Sequence, residues 1–255
     1  MLTNTLNDRG PLVLAIETAT RAGSVAVSRG AQILSKKIGD ASISHSSNLI
    51  EIVDAGLKEA SVALSDVELF AVAVGPGSFT GLRIGLATVK AFAECNDRPV
   101  IGVSTLAAIA HASRITGAVV AILPAGRGEV FAQMFSISDD HVHAEDDAGH
   151  LSPREAIERY GDRTDVHWAG EGLSKIQEYI SDVAMRGVDI IEPRRFRSLD
   201  SDNVLAVSVI ALALDNYRLG KTLRPEELHA VYVRPSDAEI NERWQQQKQP
   251  PSTQA

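Results

Sequence analysis

Short apolar runs and helical patterns alternate along this chain in an order that repeats, and the repetition limits the fold more than any one motif does. Leu12-Val-Leu-Ala-Ile16 is apolar throughout, the mark of a strand buried on both faces. Gly23-Ser-Val-Ala-Val-Ser28 alternates, Arg29-Gly30 supplies a turn, and Gln32-Ile-Leu-Ser-Lys36 returns. A helix is predicted over 47–60. Its Leu49, Ile52, Val53, Gly56, Leu57 and Ala60 follow i, i+3, i+4, i+7 spacing, and Ser47 or Asn48 can cap it. Next come a strand over 69–74, a helix over 79–95, a strand Pro99-Val-Ile-Gly-Val103 and a helix from Ser104.

The order then begins again. Ala118-Val-Val-Ala-Ile-Leu123 and Gly128-Glu-Val-Phe-Ala-Gln-Met-Phe135 read as strands, with a weak third in the acidic stretch His141–His150. Pro153 opens a short helix to Tyr160, a position where proline is tolerated. Strand Val166-His-Trp-Ala169, helix 172–184, strand Val188-Asp-Ile-Ile191 and a helix over 202–219 complete the unit. Two β-β-β-α-β-α-β-α units predict an α/β protein of two lobes, 11–116 and 117–235. Residues 1–10 and the Gln- and Pro-rich 236–255 read as disordered tails.

Between strand and helix in the first unit lies Val74-Gly-Pro-Gly-Ser-Phe-Thr-Gly-Leu-Arg-Ile-Gly-Leu86. A glycine turn opening a helix can cradle phosphate on its N–H groups. Three motif tests fail here. No Lys lies between Gly75 and Lys90, where a Walker loop requires one; position 80 is Thr where the dinucleotide fingerprint has Gly; and Pro76 stands two before Ser78 where a nucleophile elbow has Gly. Gly81 and Gly85 share one helical face, and the pair costs roughly 2 kcal/mol relative to alanine, so close approach of another backbone is expected to offset it. That backbone is either this protein's own or a partner's.

Composition narrows the function. With 33 acidic against 25 basic residues, a net charge of −8, the surface as a whole is no nucleic-acid footprint. One cysteine, Cys95, leaves no intramolecular disulfide and no Cys-based zinc site. No apolar stretch approaches the ~20 residues that span a bilayer, and residues 1–10 lack a signal-peptide core, so a cytoplasmic protein without membrane contact is expected. His141, His143, Glu145, Asp146, Asp147 and His150 are metal-capable, but their spacing fits no standard site and an acidic surface loop is the plainer account. Arg194-Arg-Phe-Arg197 reads first as a solvated loop and second as a nucleic-acid contact. His45 has no nucleophile to serve and reads as a helix-start or interface residue.

The duplicated lobes resemble the actin-like ATPase superfamily. Leu14-Ala-Ile-Glu-Thr-Ala-Thr20, Gly23-Ser-Val-Ala-Val27, Gly75-Pro-Gly-Ser-Phe-Thr-Gly81 with its following helix, Gly102-Val-Ser-Thr-Leu106, Gly128-Glu-Val130 and Val231-Tyr-Val-Arg-Pro235 resemble the TsaB (YeaZ) family of bacterial tRNA threonylcarbamoyladenosine synthesis. The resemblance implies a non-catalytic paralogue of TsaD, working with TsaD and the ATPase TsaE, homodimeric when alone and meeting tRNA only within the complex. ATP and a metal are then expected in the partner subunits, with none bound here. It also implies pairing through the helices 47–60 and 79–95, with Leu49, Val53, Gly56, Phe79, Gly81, Leu82, Arg83, Gly85 and Leu86 as interface residues, so that Gly85→Leu should weaken TsaD association far more than it lowers the melting temperature. TsaD carries a metal-binding His-x-x-x-His pair after its Gly-Val; here those positions are Thr105 and Ile109, and His111 comes two residues too late.

Glu17 and Thr18 stand where actin-like ATPases place a first phosphate loop, as weak nucleotide-binding candidates or as polar caps of a strand end; no Asp-x-Gly loop follows Leu123. The family's Asp-Ala-Arg-x-Gly-Glu-Val-Tyr is departed from at Pro124, Gly126 and Phe131, while Arg127 and Glu129 remain. The rival readings are a small-molecule kinase or ATPase of the actin-like class and a glycoprotease-like peptidase, the latter without a Ser/His/Asp or metal constellation.

Overall fold

β1 (Leu12–Glu17), β2 (Ser24–Arg29), β3 (Gln32–Ile38), β4 (Leu69–Gly75) and β5 (Val100–Ser104) form one sheet in the order β3-β2-β1-β4-β5. β1 and β4, the two continuous apolar runs, lie at its centre, parallel to each other and buried along their whole length. β2 and β3 extend it as an antiparallel hairpin, which leaves β3 as an edge carrying Lys36 and Lys37, charges that discourage a further strand from pairing. This computed structural model describes residues 10–42, 44–186, 195–197, 199 and 204–233, with the backbone alone at 45–47. The tails predicted at 1–10 and 236–255, the strand predicted at Val188–Ile191 and Arg194 lie outside the described residues, except Gly10.

Pleating turns adjacent residues of a strand to opposite faces. On one face of the first sheet pack α1 (His45–Ala60) and α2 (Phe79–Asn96); α1 begins earlier than the sequence implies, with Ser44 at its N-cap. On the other face lie α3 (Thr105–Ala112) and α6 (Leu205–Arg218). Beyond them the second sheet comprises β6 (Gly117–Gly126), β7 (Glu129–Ser138), β8 (His141–Ala144), β10 (His167–Ala169) and β11 (Phe196–Arg197) in the order β11-β10-β6-β7-β8, and β9 (Gly149–Leu151) also pairs with β7. Its outer face is closed by α4 (Pro153–Tyr160) and α5 (Leu173–Met185), around buried Trp168 and Tyr160 stacked edge to face. The fold class read from the sequence, α/β with two sheet-centred lobes, is the one the chain adopts.

The lobes share more than the element order implied. α6 lies in the second predicted segment, yet Val209, Ile210 and Ala213 belong to the same buried cluster as β1, and the Ala206 N–H donates to Ser24 Oγ at 3.0 Å. After α6 the chain returns to the first sheet. Leu223 bridges to Val100, Leu228 is buried, and the Val231 N–H donates to the Val74 carbonyl at 2.7 Å. A boundary at 116/117 therefore divides the sequence but not the core. The acidic stretch 141–150 holds two short strands rather than one weak one.

Candidate functional site

The glycine-rich stretch is a mould for the loop that leaves β1. A Cβ built on Gly85 would stand 2.2 Å from Thr18 Oγ1, and one on Gly77 would stand 2.6 Å from the Ala19 Cβ and 2.7 Å from its carbonyl oxygen. Thr18 Oγ1 donates to the Gly81 carbonyl at 2.8 Å, and the Ser78 N–H donates to the Ala19 carbonyl at 2.8 Å. The Gly81 N–H, which could have faced an anion at this helix start, is taken by Ser78 Oγ at 3.2 Å. Of the two backbones that the glycine pair could admit, the one present is the chain's own. Gly81 and Gly85 are buried packing positions within the chain, and Gly85→Leu is expected to lower stability directly.

Most of the other expected interface residues share this fate. Leu49, Val53, Leu82 and Leu86 are buried in the core, and Gly56 faces Val25, Ser35 and Lys37 of its own sheet. Helix periodicity identified the apolar stripe, and an apolar stripe turns first to the chain's own core. Phe79 and Arg83 differ. The Arg83 guanidinium carbon lies 3.7 Å from the Phe79 ring centroid, and Tyr232, brought over by the returning C-terminal segment, stacks on Phe79 at 5.2 Å between ring centroids. Apart from Arg83, the outward face of the helix pair is made of residues the sequence reading did not name as interface. On α2 that face carries Thr80, Arg83, Ala87, Ala91 and Glu94; on α1 it carries Glu51, Asp54 and Ile50, the last 59% exposed. An isoleucine that open to water on a helix otherwise well patterned was the available signal.

Glu17, adjacent to Thr18, points to the opposite face, toward α6. It lines a cavity of about 230 Å³ between the lobes, together with Thr20, Ser24, Ile109, Glu171 and Leu205. Its carboxylate accepts from the Thr20 N–H at 2.7 Å, Thr20 Oγ1 at 2.9 Å and Ser24 Oγ at 3.3 Å. Burial drives its pKa upward against these hydrogen bonds. Thr18 and Glu17 thus use their polar atoms within the chain, as structural members of the loop rather than as a phosphate loop. Glu171, in the Gly170-Glu-Gly172 turn after β10, was missed by the sequence reading although a Gly-x-Gly directly after a strand was visible. A phosphate placed in this cavity would meet two carboxylates and no lining Lys or Arg.

The raised pKa of Glu17 has a consequence for stability. The folded protein keeps this proton at pH values where the unfolded chain, titrating near the ordinary glutamate value of about 4.5, has lost it. Stability from this group is therefore full below about pH 4.5 and falls as pH rises through the folded pKa. Glu17→Gln keeps an acceptor for the Thr20 N–H and removes the titration. In urea unfolding across a pH series, the variant is expected to lose part of the decline above pH 4.5; a slope identical to wild type would contradict the assignment.

The remaining candidates disperse. His150 Nε2 lies 2.9 Å from Glu129 Oε2 and its ring packs on Phe131, His141 Nδ1 lies 3.5 Å from Asp215 Oδ2, and Asp146 accepts from Tyr160 Oη, Arg159 and the Met134 N–H. Among the described residues no three His, Cys, Asp or Glu side chains converge as a metal site. Phe131 is buried, and Gly126 has φ 80° in the hairpin tip beside Arg127, so these departures fit the β6–β7 turn. Arg195 and Arg197 are exposed, and the Arg195 carbonyl accepts from the Trp168 N–H. The side chain of His45 lies outside the described residues. Thr105 is fully buried and Ile109 points into the interlobe cavity. Among the described residues no helix is long and apolar enough to cross a membrane.

Comparison with known proteins agrees with this architecture. A family model described as TsaD, tRNA N6-adenosine threonylcarbamoyltransferase, matches residues 39–185. The chain is 28% identical to the tRNA threonylcarbamoyladenosine biosynthesis protein TsaB of Escherichia coli K12, over 87% of this chain and 94% of that protein. It is 32% identical to the protein of the same name from Bacillus subtilis, over 48% of this chain and 54% of that one. The solved structure of YeaZ from Pseudomonas aeruginosa superposes with a TM-score of 0.71 at 29% identity, covering 87% of this chain and 99% of that one.

Proposed function

This chain belongs to the family matched by the TsaD model, in its TsaB (YeaZ) line, and we propose on that premise that it is a non-catalytic subunit of the machinery that places threonylcarbamoyl on the adenosine next to the anticodon. Its work is to bind and support TsaD, with TsaE in the same assembly, and to pair with itself when alone. It acts in the cytoplasm and meets tRNA only through the complex; ATP and the metal belong to the partner subunits.

The observation that carries this reading is the interlobe cavity. An actin-like enzyme works there, with cations or a metal to hold phosphate oxygens. This cavity presents the carboxylates of Glu17 and Glu171, and Ile109 in place of the second histidine of the TsaD pair. A phosphate would meet carboxyl groups there, and no lining Lys or Arg holds its oxygens. The same observation weighs against the kinase or ATPase reading, and the dispersed His and Asp side chains weigh against a peptidase. What the chain offers a partner is the outward side of α1 and α2, with Ala87 and Ala91 exposed on α2 and Ile50 exposed on α1, where another helix can approach closely.

Reconstitution tests the role. Purified TsaD and TsaE, supplied with a threonylcarbamoyl donor, ATP and unmodified tRNA, are expected to modify the adenosine only when this chain is added, and the chain alone is expected to modify none. Equal modification without it would overturn the proposal, as would modification by this chain by itself.

A further inference from the structure

A second cavity, of about 490 Å³, opens beside the edge strand β3, where the end of α3 and the start of α6 meet the sheet. Its volume falls in the range of small-molecule sites. Ile33, Leu34, Ala112, Val204 and Val207 give it an apolar floor. Around that floor stand Lys36, Arg114, His111 and Ser208, and the one lining carboxylate is Glu59.

Glu59 is already paired with Lys37. Lys36 and Arg114 have no ion-pair partner among the described residues, in a chain with 33 acidic residues to 25 basic. Arg114 moreover has φ 53°, a left-handed conformation in which glycine is the relaxed choice and a long side chain is kept at a cost. His111 Nδ1 lies 3.0 Å from Ser208 Oγ, which fixes the imidazole plane and leaves Nε2 as its second polar position. Burial lowers the His111 pKa, so the ring offers a neutral hydrogen-bonding edge rather than a third cation. The carboxylates that act on it, Asp140 and Asp215, are not among the lining residues, and Asp215 is paired with Arg218. The first turn of α6, which forms one wall, contains no acidic residue and no side-chain cap.

From this arrangement we propose that the β3–α3–α6 cavity binds a small amphipathic anion: a compact apolar body over Ile33, Leu34, Val204 and Val207, with one carboxylate or phosphate held by Lys36 and Arg114. The site is separate from the interlobe cavity, whose lining is acidic, and from the outward face of the α1–α2 pair.

Isothermal titration of the full chain at constant ionic strength tests it, using hexanoate, phenyl phosphate, inorganic phosphate and hexylammonium as probes. Hexanoate or phenyl phosphate is expected to bind saturably with a dissociation constant below about 1 mM, and the double variant K36E/R114E to weaken that binding at least about tenfold. Both positions are exposed, so the variant should keep the wild-type circular dichroism spectrum and melting temperature. Binding of hexanoate alone assigns a carboxylate and binding of phenyl phosphate alone a phosphate ester. Absence of saturable binding by either anion overturns the proposal. So does undiminished binding by K36E/R114E, equal binding of hexylammonium, or binding of inorganic phosphate as tight as that of phenyl phosphate, which would leave the apolar floor without a role.

Discussion

Gly85→Ala is expected to destabilise this chain by roughly 2 kcal/mol, although alanine is the better helix former by about 1 kcal/mol. The reason is the contact with the loop after β1. The new Cβ would stand 2.2 Å from Thr18 Oγ1, and Thr18 cannot turn away without giving up its hydrogen bond to the Gly81 carbonyl. Thr18→Ala alone removes that buried hydrogen bond, at a cost of about 0.5–1.5 kcal/mol. Together the two changes interfere less than they do apart. Without Oγ1 the nearest atom to the new methyl is the Thr18 Cβ position at 3.4 Å, an ordinary contact. Urea unfolding of the four proteins in the cycle should show the double variant more stable than the sum of the singles by at least about 1 kcal/mol. Strict additivity would mean that Gly85 and Thr18 do not meet as described. Gly85→Leu, with more bulk and no room, should cost roughly 3–5 kcal/mol, so stability and TsaD association should fall together.

Ala87→Arg should do the opposite, sparing the fold and removing the partner. Ala87 is exposed on α2, and arginine is nearly as good a helix former as alanine, so the stability change should stay within about 0.5 kcal/mol. If a partner helix lies against Ala87 and Ala91, a guanidinium forced between them holds the helices apart. Burying it unpaired should weaken TsaD binding by about a hundredfold, near 2.7 kcal/mol. Ile50→Asp, at an exposed position of α1, tests the neighbouring helix in the same way. Titration of TsaD against each variant, with melting temperatures measured alongside, checks both. Wild-type affinity in both variants would remove this face from the interface.

The fold was legible because its signals are local. Continuous apolar runs at β1 and β4, alternation at β2 and serine caps before α2, α3 and α4 each follow from a few neighbouring residues. What depended on distant partners was not. Nothing near α6 announces that Val209 and Ile210 pack on the first sheet, nor does the segment after it announce that Leu228 and Val231 return there. The glycine pair shows the same limit more sharply. Its spacing showed that a backbone approaches, and only the three-dimensional arrangement shows that the approaching chain is Thr18-Ala19. The sequence reading assigned the apolar stripes of α1 and α2 to a partner, and the chain's own sheet covers them. The surface left for another molecule mixes Ala87, Ala91 and Ile50 with the polar and charged Thr80, Arg83, Glu94, Glu51 and Asp54, a set that carries little pattern of its own.

The most direct test of the docking claim is a hydrogen–deuterium exchange footprint of TsaD on the full chain. The account predicts that binding slows exchange in peptides covering 47–60 and 79–95 and leaves the second sheet, including β6 and β7, unchanged. Protection confined to the second sheet, with both helices exchanging as in the free protein, would contradict it.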